Sequence, residues 1–341
     1  MNSSNKYLGG EYSSHDLDKF IKSSTDDADL FFPDELNGQK RLFFETGTDA
    51  LAYIISKKCK INKCICLWLP DNYCFETIER LKLKLDLFNI KISSVNKYNK
   101  LSDLHLDENL INFILLVHFN KYEPFSKINF GENSYTIEDF VQAPLDIKKQ
   151  RGDYSFNSLR KLCNLEISIA YVDEIKEVKS KQESKYFLTK KNAQLTKTTF
   201  FQTNNSELEN EYLNLFAKAN EFLFNSDIQF AQPIEIQRFL SIDFEKIFSK
   251  RKSNYQYLQN KLLQLEKIKL IEGQYMYLMI SSLERDNLKK FLRSNNIFTA
   301  IHWLDSKSEI SNNILSIHID HRYDLIDMDR IFKSISQFYD N

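Results

Sequence analysis

Gly152-Asp153-Tyr154-Ser155-Phe156-Asn157-Ser158-Leu159-Arg160-Lys161 is the stretch whose reading decides this chain. It starts at one of only seven glycines in 341 residues, so the backbone there is expected to need glycine's freedom. A strand-like segment follows and ends in a lysine, with serines three and six residues upstream. A lysine so placed can form a Schiff base once burial and neighbouring cations lower its pKa, while the hydroxyls bind phosphate. A solvated surface lysine is the bland reading, and this stretch alone leaves it open.

Two further stretches bear on the same chemistry. Glu45-Thr46-Gly47-Thr48-Asp49-Ala50-Leu51 reads as a tight strand-to-helix turn. Its backbone N–H groups and a hydroxyl converge where a helix N-terminus favours an anion, so Gly47 and Thr48 are candidates for a phosphate cradle. A plain N-cap threonine explains the same letters. Tyr135-Thr136-Ile137-Glu138-Asp139-Phe140-Val141-Gln142 places two acids and a glutamine at a strand end, where open α/β sheets build ligand sites. Asp139 could there pair with a protonated ring nitrogen, or it could simply close a surface strand.

Strand-like runs at 41–44, 64–69, 90–94, 111–119, 135–137, 154–156 and 167–172 alternate with helical patterns at 49–58 and 75–87. That alternation predicts an α/β lobe with a mostly parallel, doubly wound sheet over residues 1–232. The unbroken apolar run Phe113-Ile114-Leu115-Leu116-Val117 suits a central strand covered on both faces. Lys179 to Asn205 is polar and weakly patterned and reads as a surface excursion. Helices are expected from Glu207 to about Asn225 and from about Asp243 to Lys267. A smaller C-terminal α+β lobe, 233–341, should contain strands near 275–280, 298–303 and 315–319 and helices at 284–293 and 328–339.

Composition narrows the classes. The 46 basic and 47 acidic residues nearly cancel, which argues against a nucleic-acid or anionic-membrane partner. No apolar run is long enough to span a bilayer, and Met1 to Tyr12 lacks a signal-peptide core, so a cytoplasmic protein is expected. Cys59, Cys64 and Cys66 cluster without a second Cys/His pair at regular spacing, so no metal site is expected.

Together the three stretches resemble the DegT/DnrJ/EryC1 family of sugar aminotransferases, pyridoxal-phosphate enzymes of the aspartate-aminotransferase fold. The likeness lies in Gly47 to Leu51, in Glu138, Asp139 and Gln142, and in Gly152, Asp153, Ser155, Phe156 and Lys161. It extends to Gly9-Gly10-Glu11-Tyr12, to an Arg-x-x-Asn helix at Arg251 and Asn254, to Ile301-His302-Trp303, and to a closing segment from Leu315 to Ile331. Two departures stand out. The family's glycine-rich turn after the lysine is replaced by Leu162-Cys163-Asn164-Leu165-Glu166-Ile167-Ser168. Counting from Pro70 puts Cys74 at the place of the aromatic over the cofactor ring, with Tyr73 the alternative one residue earlier.

The resemblance implies pyridoxal 5'-phosphate as cofactor, Lys161 as its covalent anchor and proton carrier, and Asp139 on the ring nitrogen. Gln142 would meet the phenolic oxygen side, and Gly47, Thr48 and either Ser155 or Ser158 the phosphate. It implies a homodimer, glutamate as amino donor and a nucleotide-linked keto-deoxy sugar of surface polysaccharide as acceptor. A catalytically silent or non-sugar relative of this fold, serving as a binding or structural subunit, is the alternative, raised by the missing glycine turn. A sugar dehydratase is disfavoured, because such relatives carry histidine where Lys161 stands.

Overall fold

The computed structural model describes residues 6–22, 28–59, 64–71, 73–125, 130–173, 183–273, 275–302 and 312–340. It divides into two compact units, Tyr12–Ile242 and Met1–Glu11 with Asp243–Asn341. The division thus falls ten residues after the expected 232/233 boundary, and the N-terminal segment groups with the C-terminal unit.

In the larger unit the elements run α1 (Ala28–Phe31), β1 (Glu35–Leu36), β2 (Gln39–Phe44), α2 (Gly47–Lys58), β3 (Cys64–Pro70), α3 (Phe75–Asp86) and β4 (Lys91–Tyr98). β5 (Ile111–Phe119), β6 (Ser134–Gln142), β7 (Tyr154–Phe156), β8 (Ser168–Val172), α4 (Lys185–Thr203), α5 (Glu207–Glu221) and α6 (Pro233–Leu240) follow. Among the described residues eight strands form one sheet, ordered β1-β2-β8-β7-β6-β5-β3-β4. β4, β3, β5, β6 and β7 are mutually parallel. β8 runs against both β7 and β2, so β2 shares the direction of the parallel set. The C-terminal ends of β2, β3, β5, β6 and β7 therefore share one edge, where such sheets bind ligands.

The expected mostly parallel sheet is present, and burial explains its letters. Phe113 to Leu116 are buried at consecutive positions, as a strand covered on both faces requires. Ala50, Leu51, Ile54 and Ile55 of α2 pack with Leu67, Leu115, Ile137 and Phe156. Each large aliphatic side chain so buried contributes about 1.5–3 kcal/mol.

One expectation fails. Within 179–205, the described part is not an excursion but the 19-residue helix α4, packed on α5. Its buried face mixes Lys190, Gln194, Lys197 and Thr198 with Tyr186, Phe187, Ala193 and Phe200, which blurs the hydrophobic period. Those polar groups have partners: Gln194 Nε2 donates to Glu166 Oε1 at 3.1 Å, and the Lys190 ammonium lies 4.7 Å from the Phe216 ring centroid. Ser184 caps the helix by accepting from the Phe187 N–H. Residues 179–182 lie outside the described residues.

The smaller unit has α7 (Phe244–Leu262), β9 (Lys269–Ile271), β10 (Tyr277–Ser281), α8 (Arg285–Ser294), β11 (Thr299–Ala300), β12 (Ile314–His318) and α9 (Leu325–Asp340). The strands pair antiparallel in the order β11-β12-β10-β9, an α+β unit as expected. Leu258, Leu262, Leu288, Leu292, Met328 and Ile331 close its core over Leu278, Leu315 and Ile317. The Arg-x-x-Asn pair of α7 ties loops together inside this unit. Buried Arg251 donates to the carbonyls of Tyr275 and Met276, and Asn254 Nδ2 to those of Ile319, Asp320 and Tyr323. Trp303 lies outside the described residues. Among the described residues no helix is long and apolar enough to cross a membrane.

Candidate active site

The site is built on the C-terminal edge of the large sheet. β6 reaches that edge with its side chains alternating between two faces. Glu138 turns to one side, where Oε2 lies 2.7 Å from His118 Nε2 and Oε1 accepts the N–H groups of Arg151 and Gly152. His118 Nδ1 accepts from the Glu123 N–H, so its Nε2 is the protonated nitrogen that donates to Glu138. Glu138 thus shapes the turn into β7, where a side chain at Gly152 would be crowded. A Cβ on it would stand 3.0 Å from Thr136 Oγ1 and 3.2 Å from Glu138 Cγ.

Asp139 takes the other face. It is buried, its Oδ1 accepts the Val141 N–H at 2.8 Å, and its Oδ2 accepts the Tyr73 hydroxyl at 3.0 Å. Burial pushes its carboxyl up to about 6, and the two hydrogen bonds hold it from rising further. Burial and the facing carboxylate together keep the Tyr73 phenol neutral, well above its ordinary range. Cys74, one residue on, is exposed at the N-cap of α3. Between the two candidates after β3, Tyr73 is the one that touches Asp139.

The start of α2 meets the same face. A Cβ on Gly47 would lie 3.3 Å from both Val141 Cγ2 and a Phe156 ring carbon, so glycine here lets α2 seat against β6 and β7. Thr46, not Thr48, is the cap: its hydroxyl oxygen accepts the Asp49 N–H. Thr48 is buried at the first turn.

Phe156 pairs in register with Asp139, and the chain leaves β7 through Asn157 and Ser158 into a 3-10 turn, Leu159–Lys161. Ser155 faces away, because its hydroxyl donates to Gln150 Oε1. Ser158 Oγ is buried with no hydrogen-bond partner among the described residues, and Gln142 Oε1 is in the same state. Lys161 is exposed at the end of the turn, contrary to the burial expected of it. In place of glycines, the following segment buries Leu162, Cys163, Leu165 and Ile167 completely. The Tyr12 hydroxyl fixes the Leu162 carbonyl, and Asn164 Nδ2 reaches those of Ser13 and Ser14.

Sequence reasoning missed a second set of groups. Glu166 is buried against the Tyr186 hydroxyl, which also accepts from Arg160 at 2.9 Å. Burial pushes the Glu45 carboxyl, held by Ser184, up to about 8. Lys84 is buried on Asp49 at 2.7 Å. A lysine in the apolar stripe Ile78, Leu81 and Leu85 was the readable signal for that last pair.

The fold has relatives among solved structures. One is a DegT DnrJ EryC1 StrS aminotransferase from Brucella abortus, with a TM-score of 0.55 at 16% identity over 94% of this chain and 92% of that one. The fold is that of these aminotransferases. Helicobacter pylori PseC, an aminotransferase involved in the biosynthesis of pseudoaminic acid, is similar with a TM-score of 0.57 at 11% identity, over 98% of this chain and 100% of that one. GDP-4-keto-6-deoxymannose-3-dehydratase with a trapped PLP-glutamate geminal diamine is similar with a TM-score of 0.56 at 12% identity, over 97% and 100%. At these identities the likeness is one of fold. No family model matches the sequence, and no curated protein matches it.

The residues on this aminotransferase fold fit pyridoxal phosphate at several points. A buried carboxylate with a raised pKa is suited to a cationic ring N–H, and the start of α2 is suited to a phosphate. Two orphaned polar atoms, on Ser158 and Gln142, are left for the polar rim of a ligand. Ser155 does not fit, since Gln150 already occupies its hydroxyl.

Proposed function

We propose that this chain is a pyridoxal-phosphate-dependent aminotransferase. The observation that carries the reading is Asp139: a buried carboxyl at the ligand-binding edge of this fold, its pKa pushed up to about 6. A carboxylate kept there gains most when a cation joins it. The cofactor, when bound, supplies an electron sink for breaking the bond to the amino donor's α-hydrogen. Asp139 holds the proton on the ring nitrogen. Tyr73 orients that carboxylate and keeps it dry. Lys161 would anchor the cofactor and, as general acid/base, take the proton from the donor's α-carbon. Gly47, Thr48 and Ser158 bind the phosphate, and Gln142 contacts the ring's phenolic side.

Glutamate is the proposed donor and a nucleotide-linked keto-deoxy sugar the proposed acceptor. The nucleotide-sugar dehydratase and the sugar-biosynthetic aminotransferase of the same fold support that choice. A cytoplasmic homodimer, with the cofactor held by the larger unit, Tyr12–Ile242, completes the proposal. The test is a screen of keto-sugar nucleotides and small keto acids against the purified chain with glutamate. Formation of 2-oxoglutarate with one keto-sugar nucleotide supports the reading. Turnover with keto acids alone contradicts the sugar assignment, and no turnover with any acceptor contradicts the enzyme.

A further inference from the structure

The start of α2 presents an electrostatic conflict. Asp49 stands one residue after Thr48, only 1% exposed, in the first turn of the helix. Its charge suits the helix dipole, yet it opposes any second anion arriving at that terminus. Oδ2 of Asp49 accepts the Thr46 hydroxyl at 2.5 Å, and Oδ1 accepts the Gln229 N–H at 3.1 Å. The acid is thus built into the turn that the reading above gives to the phosphate.

Lys84 resolves the conflict. Its Nζ, on a side chain that is 3% exposed, lies 2.7 Å from Asp49 Oδ1 and donates to Asn225 Oδ1 at 3.0 Å and the Asp227 carbonyl at 2.7 Å. Three partners use all three of its protons, so the ammonium acts through Asp49 and binds no ligand itself. A buried ion pair seldom improves stability over well-packed apolar side chains. The stripe Ile78, Leu81 and Leu85 would accept an apolar residue at position 84, so stability alone explains this lysine poorly.

We propose that Lys84 is a positioning residue for the cofactor phosphate: it cancels the Asp49 charge and locks the Thr46–Thr48 turn in its anion-accepting form. The proposal rests on the cofactor reading above. Glu45, just before the turn, adds little opposing charge at neutral pH, because burial pushes its carboxyl up to about 8. Asp49, Glu166, Lys84 and the Ser184 hydroxyl are the groups that face it.

The test compares pyridoxal phosphate with pyridoxal, which lacks the phosphate, by absorbance titration of the full chain. Lys84→Met should weaken pyridoxal phosphate by about tenfold or more through the uncancelled charge, and leave pyridoxal unchanged. Adding Asp49→Asn to Lys84→Met should restore the phosphate ligand. Where Lys84→Met does not fold, Asp49→Asn alone carries the test: it should tighten pyridoxal phosphate, leave pyridoxal unchanged, and return to the wild-type value in the double variant. Equal loss of both ligands, or no recovery in the double variant, overturns the charge role while leaving the cofactor reading intact. A wild-type chain that binds neither ligand overturns both.

Discussion

The phenol of Tyr73 donates to Asp139 Oδ2 at 3.0 Å, joining the segment after β3 to the end of β6. A buried carboxylate is thereby held in one orientation by a neutral donor that does not ionise in the working pH range. Asp139 lies within the parallel set of strands, and Tyr73 sits on the loop beyond it.

Removing the charge of Asp139 should affect chemistry more than binding. Asp139→Asn preserves shape and should slow single-turnover amino transfer by about a thousandfold, roughly 4 kcal/mol. Cofactor affinity should fall much less. Equal rates in the two reconstituted proteins contradict the ring-nitrogen role.

Tyr73 should show itself in pH dependence. Asp139 in the free protein ionises near pH 6, so affinity for a cofactor with a cationic ring nitrogen should rise as pH increases through that value. The Tyr73 hydrogen bond lowers the Asp139 pKa. Tyr73→Phe should therefore move the midpoint of that rise to higher pH, as read from binding titrations between pH 5 and 8. An unmoved midpoint contradicts the coupling.

Ser158 gives a contrast between stability and binding. Its hydroxyl is buried with no hydrogen-bond partner among the described residues, so Ser158→Ala should leave the cofactor-free protein as stable or more so. The same change should weaken pyridoxal phosphate by about fivefold, roughly 1 kcal/mol, the usual worth of one hydrogen bond. Thermal melts of the cofactor-free chain and binding titrations separate the two effects.

Glu45 should make stability depend on pH. Folding raises its pKa from 4.5 to about 8, so between those values the folded chain holds a proton that the unfolded chain has lost. Its contribution to stability therefore falls as pH rises from about 4.5 to about 8. Glu45→Gln removes this term, and the melting temperature should decline less between pH 5 and pH 8 than in the wild type.

The sheet and the two glycine turns were legible because they follow simple rules. Phe113 to Leu116 advertise a doubly covered strand, and Gly47 and Gly152 stand where a Cβ would crowd Phe156, Val141 or Glu138. Asp139 was legible from its place at a strand end. The helix Lys185–Thr203 was not, because its buried face uses lysine stems, Gln194 and Thr198, which hydrophobic periodicity counts as solvent-facing. The choice between Ser155 and Ser158 was also hidden, since it depends on Gln150 reaching across to take the first hydroxyl. The Lys84–Asp49 pair joins residues 35 positions apart: a lysine in the apolar stripe of its helix signals a buried charge, but nothing there names Asp49 as the partner.

The central claim is that Lys161 anchors the cofactor. Its most direct test is borohydride reduction of the pyridoxal-phosphate-loaded chain, followed by peptide mass spectrometry. One modified peptide is expected, carrying the reduced phosphopyridoxyl group on Lys161, with no modification in Lys161→Ala. A label on a different lysine, or a chain that takes up no label at all, would contradict it.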